Sequence, residues 1–360
     1  MTDFSAVDHA HMARALRLAE RGLYTTQPNP RVGCVIAHGA DVVGEGWHAR
    51  AGEPHAEVFA LREAGERARD ATAYVTLEPC AHFGKTPPCA DALIAANVGR
   101  VVAASEDPNP RVAGGGFAKL RDAGIAVETG LMRDAARDLN RGFLSRLECT
   151  RPWVRVKLAS SLDGRTALSN GESKWITGDA SRADVQRWRA RSSAILTAIG
   201  TAIADDPRLT VRLDTSFVAP LRVVLDRTLR TPRDSNLLDG SAPTLIVHGN
   251  DAKADDRFRN VELVALPLIE GNLSLTALMA LLANRGVNEL QVEAGPTLCG
   301  ALINADLVDE LLLYAAPVVL GDTARPLLTL PEFKEISDAP RWNIVDRRQI
   351  GEDTRLLLRR

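Results

Sequence analysis

The chain has 360 residues, of which 45% are hydrophobic and 25% charged, and its formal net charge is -2 at pH 7. This length favours two domains, and the composition is typical of a soluble globular protein. A dedicated nucleic-acid-binding protein usually carries a basic surplus, so we expect no nucleic-acid partner. The sequence shows neither a signal-peptide pattern nor an apolar stretch long enough to cross a bilayer, so we expect a cytoplasmic protein with no membrane association.

Periodicity predicts alternating helices and strands over the first 148 or so residues. We expect helices at 9–22, 56–68, 90–96 and 116–123, a hairpin at 32–37 and 42–46, and strands at 73–77, 100–104 and 125–128. This alternation predicts a sheet with helices on both faces. A further helix at 134–149 should lead out of the unit.

The second unit is expected to begin after Thr150 and Arg151, because Pro152 disfavours helix in the residue before it. The predicted domains are therefore 1–148 and 152–360. In the second domain we expect strands at 153–159, 194–199, 222–225, 244–247, 290–293 and 310–316, with loops at 214–220 and 266–273.

The five cysteines are too few and too scattered for a disulfide framework, and as thiols some of them can bind a metal. The strongest motif joins PHAE at 54–57 to EPCAHFGKTPPC at 78–89. His55, Cys80 and Cys89 supply the three protein ligands that a catalytic zinc site needs, with a fourth position left for water. His55 and Cys89 should each begin a helix, where thiolate is favoured. We expect Cys34, Cys149 and Cys299 to be ordinary buried thiols.

Glu57 follows His55 by two residues and is the predicted catalytic proton shuttle. The His-x-Glu and Pro-Cys pair is the signature of zinc nucleobase deaminases. The alternative is a closed structural zinc site, for which His48 or His82 would be the fourth ligand. Between the two cysteines, His82, Lys85 and Thr86 suit an anionic or polar substrate, or else form a solvated loop.

Longer motifs make the chain resemble a known family. TTQPNPRVGCVI, AYVTLEPCAHFGKTPPCADALI, VKLASSLDGRTAL, NGESKWITG and VEAGPTLCGALI resemble the bifunctional diaminohydroxyphosphoribosylaminopyrimidine deaminase/5-amino-6-(5-phosphoribosylamino)uracil reductases of riboflavin biosynthesis. The resemblance covers nearly the whole chain. It implies an α/β fold, with a cytidine-deaminase-like zinc domain followed by a dihydrofolate-reductase-like domain.

For the first domain, the resemblance implies a Zn²⁺ ion on His55, Cys80 and Cys89, and Glu57 as the proton shuttle. The implied substrate is a small phosphoribosylaminopyrimidine, from which hydrolysis would release an exocyclic amine as ammonia. Asn29 is placed by its motif to hold the pyrimidine, although Asn-Pro is also a common turn start.

For the second domain, the resemblance implies NADPH as cofactor, although no G-x-G-x-x-G fingerprint is present. A glycine-rich turn after a strand can seat a phosphate on backbone N–H groups. The implied cofactor contacts are Ala159, Trp175, Thr201, Asp205, Gly295, Pro296, Thr297, Leu298, Cys299, Gly300 and Ala301. The implied substrate contacts are Ser173, Arg189, Leu209, Arg212 and Glu293. A homodimer through this domain is also implied.

Three roles in this domain are interpretations of residue chemistry. Arg189 and Arg212 can bind the substrate phosphate through forked hydrogen bonds. Arg227 follows a strand where a cation could bind the 2′-phosphate of NADPH. Lys157 and Asp163 are candidate proton donors, although Asp163-Gly also fits a turn.

Two other functions share part of this pattern. A deaminase of tRNA or of free nucleosides would have the same zinc triad, but it leaves the second domain without a role. A non-catalytic zinc module fused to a reductase would have no need for Glu57 beside the intact ligands.

Overall fold

The computed structural model describes residues 4–81, 87–108 and 114–360, which fall into two α/β units, Met1–Cys149 and Thr150–Arg360. The division falls next to the Thr150-Arg151-Pro152 junction. In the part of the chain that is described, no helix combines the length and the apolar character needed to span a bilayer.

Unit 1 alternates helices with strands, as its periodicity predicts. Its helices are α1 Ala6–Glu20, α2 Ala56–Ala64, α3 Cys89–Ala95, α4 Gly115–Asp122, α5 Arg133–Leu139 and α6 Arg141–Glu148, and a 3₁₀ turn, Gly65–Ala68, extends α2. Its strands are β1 Gly33–His38, β2 Asp41–Trp47, β3 Thr72–Val75, β4 Arg100–Ala103 and β5 Ala126–Thr129.

The described strands of unit 1 form one sheet in the order β2-β1-β3-β4-β5. Strand β1 runs antiparallel to β2 and β3, whereas β3, β4 and β5 are parallel. One apolar core lies between the sheet and α2, α3, α4 and α6, and a second lies between the opposite face and α1 and α5. Helices on both faces are therefore confirmed.

The predicted helix at 134–149 is wrong in one respect, because it is two helices divided at Asn140. The Asn140 side chain accepts a hydrogen bond from the backbone N–H of Arg31 at 2.7 Å and donates to the Arg31 carbonyl at 2.8 Å. This contact crosses 109 positions of sequence and has no local signal. Cys149 follows α6 and is exposed, which corrects its expected burial, whereas Cys34 and Cys299 are buried.

Unit 2 holds four helices within the described residues, α7 Asp179–Arg191, α8 Ile199–Asp205, α9 Leu275–Asn284 and α10 Pro296–Asn304. Its strands are β6 Trp153–Ser160, β7 Arg165–Ala167, β8 Ala194–Ala198, β9 Leu221–Leu225, β10 Thr244–Gly249, β11 Glu262–Leu266, β12 Leu268–Ile269, β13 Asn272–Leu273, β14 Glu289–Val292, β15 Glu310–Ala315, β16 Arg325–Pro326, β17 Asn343–Ile350 and β18 Asp353–Arg359.

Nine of these strands form one sheet in the order β11-β10-β9-β8-β14-β6-β15-β18-β17. The first seven strands in this order, which end with β15, are all parallel to their neighbours. Strands β18 and β17 add an antiparallel hairpin at the other edge. Helices α9 and α10 contribute to the core on one face, and α7 and α8 to two smaller cores. The crossovers bring the carboxyl ends of the parallel strands to one edge, where α/β proteins bind ligands.

Two features of unit 2 differ from the sequence expectations. The expected loop at 266–273 contains the hairpin β12–β13, whose turn residues Glu270 and Gly271 both have positive φ. The strands β17 and β18 were not predicted at all. Strand β17 is mostly polar and exposed, so it lacks an apolar alternation.

Asp8 fixes α1 to the sheet of unit 1. Its carboxylate completes a capping box with Ser5 and accepts hydrogen bonds from the Tyr74 hydroxyl at 2.8 Å and from Arg100 at 2.6 Å. Burial raises the pKa of Asp8, but the hydrogen bonds from Arg100, Ser5 and Tyr74 outweigh it, and the net shift is downward. The ionised carboxylate therefore stabilises the fold above the unfolded pKa, and this stabilisation is lost as the pH falls through the folded pKa.

We expect Asp8→Asn to lower the free energy of unfolding at neutral pH by about 1–2 kcal/mol, measured by urea titration. The difference from wild type should shrink as the pH falls below about 4, because the unfolded wild-type chain then takes up a proton at Asp8 that the folded state still excludes. The exposed Asp41 offers a matched control, since Asp41→Asn should change little at either pH. A difference that stays constant down to about pH 3 would contradict this role.

Candidate active sites

The predicted zinc ligands of unit 1 lie together. His55 is the residue immediately before α2, Cys89 is the first residue of α3, and Cys80 lies between β3 and α3. The His55 Nδ1 atom is 3.2 Å from the Cys89 Sγ atom and 3.6 Å from the Cys80 Sγ atom, and all three ligand atoms lie within 4.8 Å of one another. The expected helix starts at His55 and Cys89 are confirmed.

This donor set fits zinc. Zinc bonds to nitrogen and sulfur in a tetrahedron place the ligand atoms about 3.5 Å apart, close to the separations found here. The backbone N–H of Cys89 donates to the Cys80 Sγ atom at 3.3 Å. A hydrogen bond from the Cys89 thiol lowers the pKa of Cys80, and burial opposes this shift. Of the two cysteines, Cys80 is therefore the one that more readily becomes a thiolate, the form that binds a metal.

The described residues place no fourth protein ligand at this cluster. The His48 ring nitrogens are instead close to the Pro54 carbonyl, at 3.2 Å from Nδ1, and to the Asn29 amide, at 3.1 Å from Nε2. His48 as the fourth ligand of a closed site therefore disagrees with the structure. His82, the other candidate, lies outside the described residues, as do Lys85 and Thr86 with their predicted substrate contacts.

Glu57 lies in the first turn of α2 and is 3% exposed. Its Oε2 atom has no hydrogen-bond partner within the described parts of the chain. Burial raises the pKa of Glu57, and the nearby His55 partly opposes this. A buried carboxylate with an unsatisfied oxygen beside a metal cluster can accept and return a proton during a reaction.

Asn29 is linked to the zinc cluster through His48. Its side-chain amide contacts His48, whose ring packs edge-on against the His55 ring with centroids 5.2 Å apart. The backbone N–H of Asn29 also donates to the Thr26 carbonyl at 2.9 Å, which is turn geometry. Both expectations for Asn29 are therefore compatible with its position.

Sequence reasoning missed Glu78, a buried carboxylate two residues before Cys80. It accepts backbone N–H groups from both sides of the 109–113 segment, at 3.2 Å from Asp107 and at 3.1 Å from Gly114. It also accepts from Gly116 at 2.9 Å and from Phe117 at 3.3 Å. The Glu-Pro-Cys motif is thereby tied to the start of α4. A Glu in front of a metal-ligand motif was the available signal.

Unit 2 has a cleft of about 1190 Å³ at the carboxyl ends of its parallel strands. Most residues predicted to bind cofactor or substrate line it. They are Ala159, Ser173, Trp175, Arg189, Thr201, Asp205, Leu209, Arg212, Arg227, Glu293, Gly295, Pro296, Thr297, Leu298 and Ala301.

Cys299 and Gly300 do not line the cleft, which corrects their predicted cofactor contacts. Cys299 is fully buried, and its backbone N–H donates to the Gly295 carbonyl at 3.2 Å. A Cβ atom on Gly300 would lie 1.9 Å from the Thr329 carbonyl oxygen. A glycine is therefore required at position 300 because α10 packs closely against the backbone of Thr329. This packing explains the glycine without a phosphate contact.

Arg189 has a partner that the sequence did not predict. Its Nε and Nη2 atoms donate to the two Glu293 carboxylate oxygens, each at 2.7 Å, and its Nη1 atom donates to the Thr210 carbonyl at 2.9 Å. The Arg189 guanidinium, expected to bind the substrate phosphate through forked hydrogen bonds, is therefore already paired with Glu293. Arg212 and Arg208 also line the cleft, and neither forms an ion pair within the described chain.

The two candidate proton donors have different environments. Lys157 lines the cleft, where burial lowers its pKa and the Glu293 carboxylate partly opposes the shift. Asp163 is not among the cleft residues; it accepts from the Ser161 hydroxyl at 2.5 Å and from the Gly321 N–H at 2.7 Å. The turn interpretation of Asp163 agrees with these contacts.

Comparison with known proteins matches both units. Residues 5–105 match the cytidine and deoxycytidylate deaminase zinc-binding region, and residues 152–356 match the RibD C-terminal domain. The riboflavin biosynthesis protein RibD of Escherichia coli (strain K12) is 50% identical over 98% of this chain and 99% of that protein. The chain belongs to the RibD family.

Solved structures agree with this membership. Acinetobacter baumannii RibD has a TM-score of 0.92 at 45% identity, covering 98% of each chain. A Thermotoga maritima diaminohydroxyphosphoribosylaminopyrimidine deaminase/5-amino-6-(5-phosphoribosylamino)uracil reductase has a TM-score of 0.87 at 31% identity, again covering 98% of each chain. This RibD-family chain is thus a bifunctional enzyme of riboflavin biosynthesis, with a zinc-binding deaminase unit and a reductase unit.

We expect Cys80→Ser to reduce the zinc content from about one ion per chain to a small fraction, because a hydroxyl replaces a thiolate ligand. Metal analysis of the purified protein measures this change. Cys149→Ser is the matched control, since Cys149 is exposed and lies outside the cluster. Full zinc occupancy in Cys80→Ser would show that Cys80 is not a ligand.

Proposed function

We propose that unit 1 hydrolyses 2,5-diamino-6-(5-phosphoribosylamino)pyrimidin-4(3H)-one, and that unit 2 uses NADPH to reduce the ribosyl group of the resulting 5-amino-6-(5-phosphoribosylamino)uracil to ribityl. The observation that carries the proposal is the three-ligand cluster of His55, Cys80 and Cys89 beside Glu57, whose Oε2 atom has no hydrogen-bond partner among the described residues. Family membership supports the pairing of the two reactions, which the Thermotoga maritima relative carries in its name.

In the deamination, water adds to the ring carbon that bears the exocyclic amine, the carbon–nitrogen bond breaks, and ammonia leaves. His55, Cys80 and Cys89 would hold the zinc ion, which would supply the Lewis acid that makes water nucleophilic at neutral pH. Glu57 takes one proton from the attacking water and delivers it to the ring nitrogen, and it then takes the remaining hydroxyl proton and delivers it to the departing amine. Its burial suits both steps, because the raised pKa brings the protonated and ionised forms closer in free energy.

Glu57→Gln should lower the rate of ammonia release by about 10²–10⁴-fold, the usual contribution of a general acid–base group. Zinc content should be retained, because Glu57 is outside the ligand set. Reduction of supplied 5-amino-6-(5-phosphoribosylamino)uracil should continue at the wild-type rate. Ammonia release that remains within about threefold of wild type would remove Glu57 from the mechanism.

In the reduction, one hydride and one proton are added to the ribosyl group, and NADPH supplies the hydride when bound. The start of α10 suits the pyrophosphate, because the first-turn N–H groups of a helix have no partner within the helix. The Gly295 N–H itself donates to the Thr201 hydroxyl at 3.1 Å, which fixes the turn. Thr297 and Leu298 lie in the first turn of the helix and line the cleft.

Lys157 is the side chain that we assign as the proton donor. Its lowered pKa makes the proton easier to release, and the Glu293 carboxylate keeps a cation stable beside it. Because Arg189 is already held by Glu293, we assign the substrate phosphate to Arg212, with Arg208 beside it in the cleft lining. The homodimer through unit 2 stays a prediction of the family resemblance.

We propose that Arg227 selects NADPH over NADH. It follows β9, lines the cleft, and its side chain is 44% exposed, with Asp251 3.5 Å away as a weak partner. We expect Arg227→Ala to raise the KM for NADPH about tenfold, while the KM for NADH stays the same, in steady-state assays. Arg230→Ala is the matched control, because Arg230 is exposed and lies outside the cleft lining. An unchanged preference would exclude Arg227 as the selecting residue.

A further inference from the structure

Helix α7 lies between the reductase cleft and the C-terminal strand β18. Its cleft-lining residues are Arg182, Val185, Gln186 and Arg189. The segment immediately before the helix, Trp175 to Thr177, lines the cleft as well. If α7 were displaced, residues on the cofactor side and on the substrate side of the cleft would therefore move at the same time.

The start of α7 is held by a carboxylate from the far end of the chain. Gly178 is the N-cap residue and has no side chain to cap the helix. The Asp353 Oδ2 atom accepts the Gly178 backbone N–H at 2.8 Å and the Ser181 hydroxyl at 2.6 Å. Asp353 is 2% exposed, so both hydrogen bonds are shielded from water. An anion at a helix N-terminus is also favoured by the helix dipole.

A second contact joins α7 to the same strand. The Arg355 Nη1 atom donates to the Asp184 Oδ2 atom at 2.8 Å, and the Tyr314 hydroxyl donates to the same oxygen at 2.7 Å. Asp353 and Arg355 are two positions apart on β18, so their side chains leave the same face of the sheet. One face of β18 thus fixes α7 at its first turn and again one turn later.

Asp353 is also connected to the cofactor side of the cleft, because the residue that it holds is joined through the backbone to the Trp175 segment. Gly178, which Asp353 holds, directly follows the segment that carries Trp175. Within that segment the Thr177 carbonyl accepts from Arg182 Nη1 at 2.6 Å, and the Arg182 guanidinium lies 4.5 Å from the Trp175 ring centroid. Trp175 itself is 69% exposed, so packing alone does not hold it. Its ring contact runs to Arg182, in the first turn of α7.

We infer that Asp353 is a positioning residue for the reductase reaction, acting through Gly178 and Ser181 on the Trp175 segment and α7. It does not line the cleft, so its effect on the reaction is indirect. The inference rests on the proposed reductase function of unit 2, and it adds a role for the C-terminal hairpin that the strand's sequence does not show.

The test compares steady-state NADPH oxidation by the full-length zinc-loaded enzyme, Asp353→Ala, Asp353→Asn and Ser181→Ala. We expect Asp353→Ala to raise the KM for NADPH about tenfold, because the anchor is lost from the cofactor side. Asp353→Asn should stay within about threefold of wild type, since its amide oxygen can still accept both hydrogen bonds. Ser181→Ala should fall between them, and ammonia release should be unchanged in all three.

Glu352→Gln is the matched control, because Glu352 is the exposed neighbour of Asp353 and should behave as wild type. If Asp353→Ala keeps the wild-type KM at a temperature below its melting transition, Asp353 is only a stability residue and the inference is overturned. If Asp353→Ala does not fold, the KM of Ser181→Ala decides, and a wild-type value overturns the inference. A wild-type enzyme that does not oxidise NADPH would instead overturn the proposed function.

Discussion

A carboxylate buried in a protein must have its charge compensated, and both sites depend on how this chain meets that requirement. Glu293 is compensated by the forked Arg189 guanidinium, Glu78 by four backbone N–H groups, and Asp353 by a helix start. Each of these pairs also fixes a segment near a site. Among the described residues, Glu57 Oε2 is the buried carboxylate oxygen without a hydrogen-bond partner. The carboxylate that keeps one oxygen without a hydrogen bond among the described residues is the one assigned to move protons.

The two units bring their functional side chains together in different ways. Unit 1 brings His55 and Cys89 together at the starts of two helices, where the backbone favours anionic ligands. In unit 2 the site lies at the carboxyl ends of parallel strands. Lys157 lies in β6, and Glu293 directly follows the neighbouring strand β14.

Long-range polar contacts connect parts of each unit that local periodicity treats as independent. Asn140 pairs with the backbone of Arg31 and divides a helix that would otherwise be continuous. Asp353 caps a helix that begins 175 positions earlier. Such contacts form only after the chain has folded, and for this reason neither residue stands out in the sequence. The antiparallel hairpin β17–β18 was missed because β17 is mostly polar and exposed and so lacks an apolar alternation.

The sequence by itself determined the chemistry: the zinc ligands His55, Cys80 and Cys89, the adjacent Glu57, and the order of the two units. It could do so because metal ligands and helix starts have local spacing rules. Only the tertiary structure decided which polar groups are already paired. In the structure Arg189 pairs with Glu293, Gly300 packs against Thr329, and Arg212 lines the cleft without an ion pair among the described residues. Pairing depends on distances between residues far apart in sequence, and no local pattern encodes those distances.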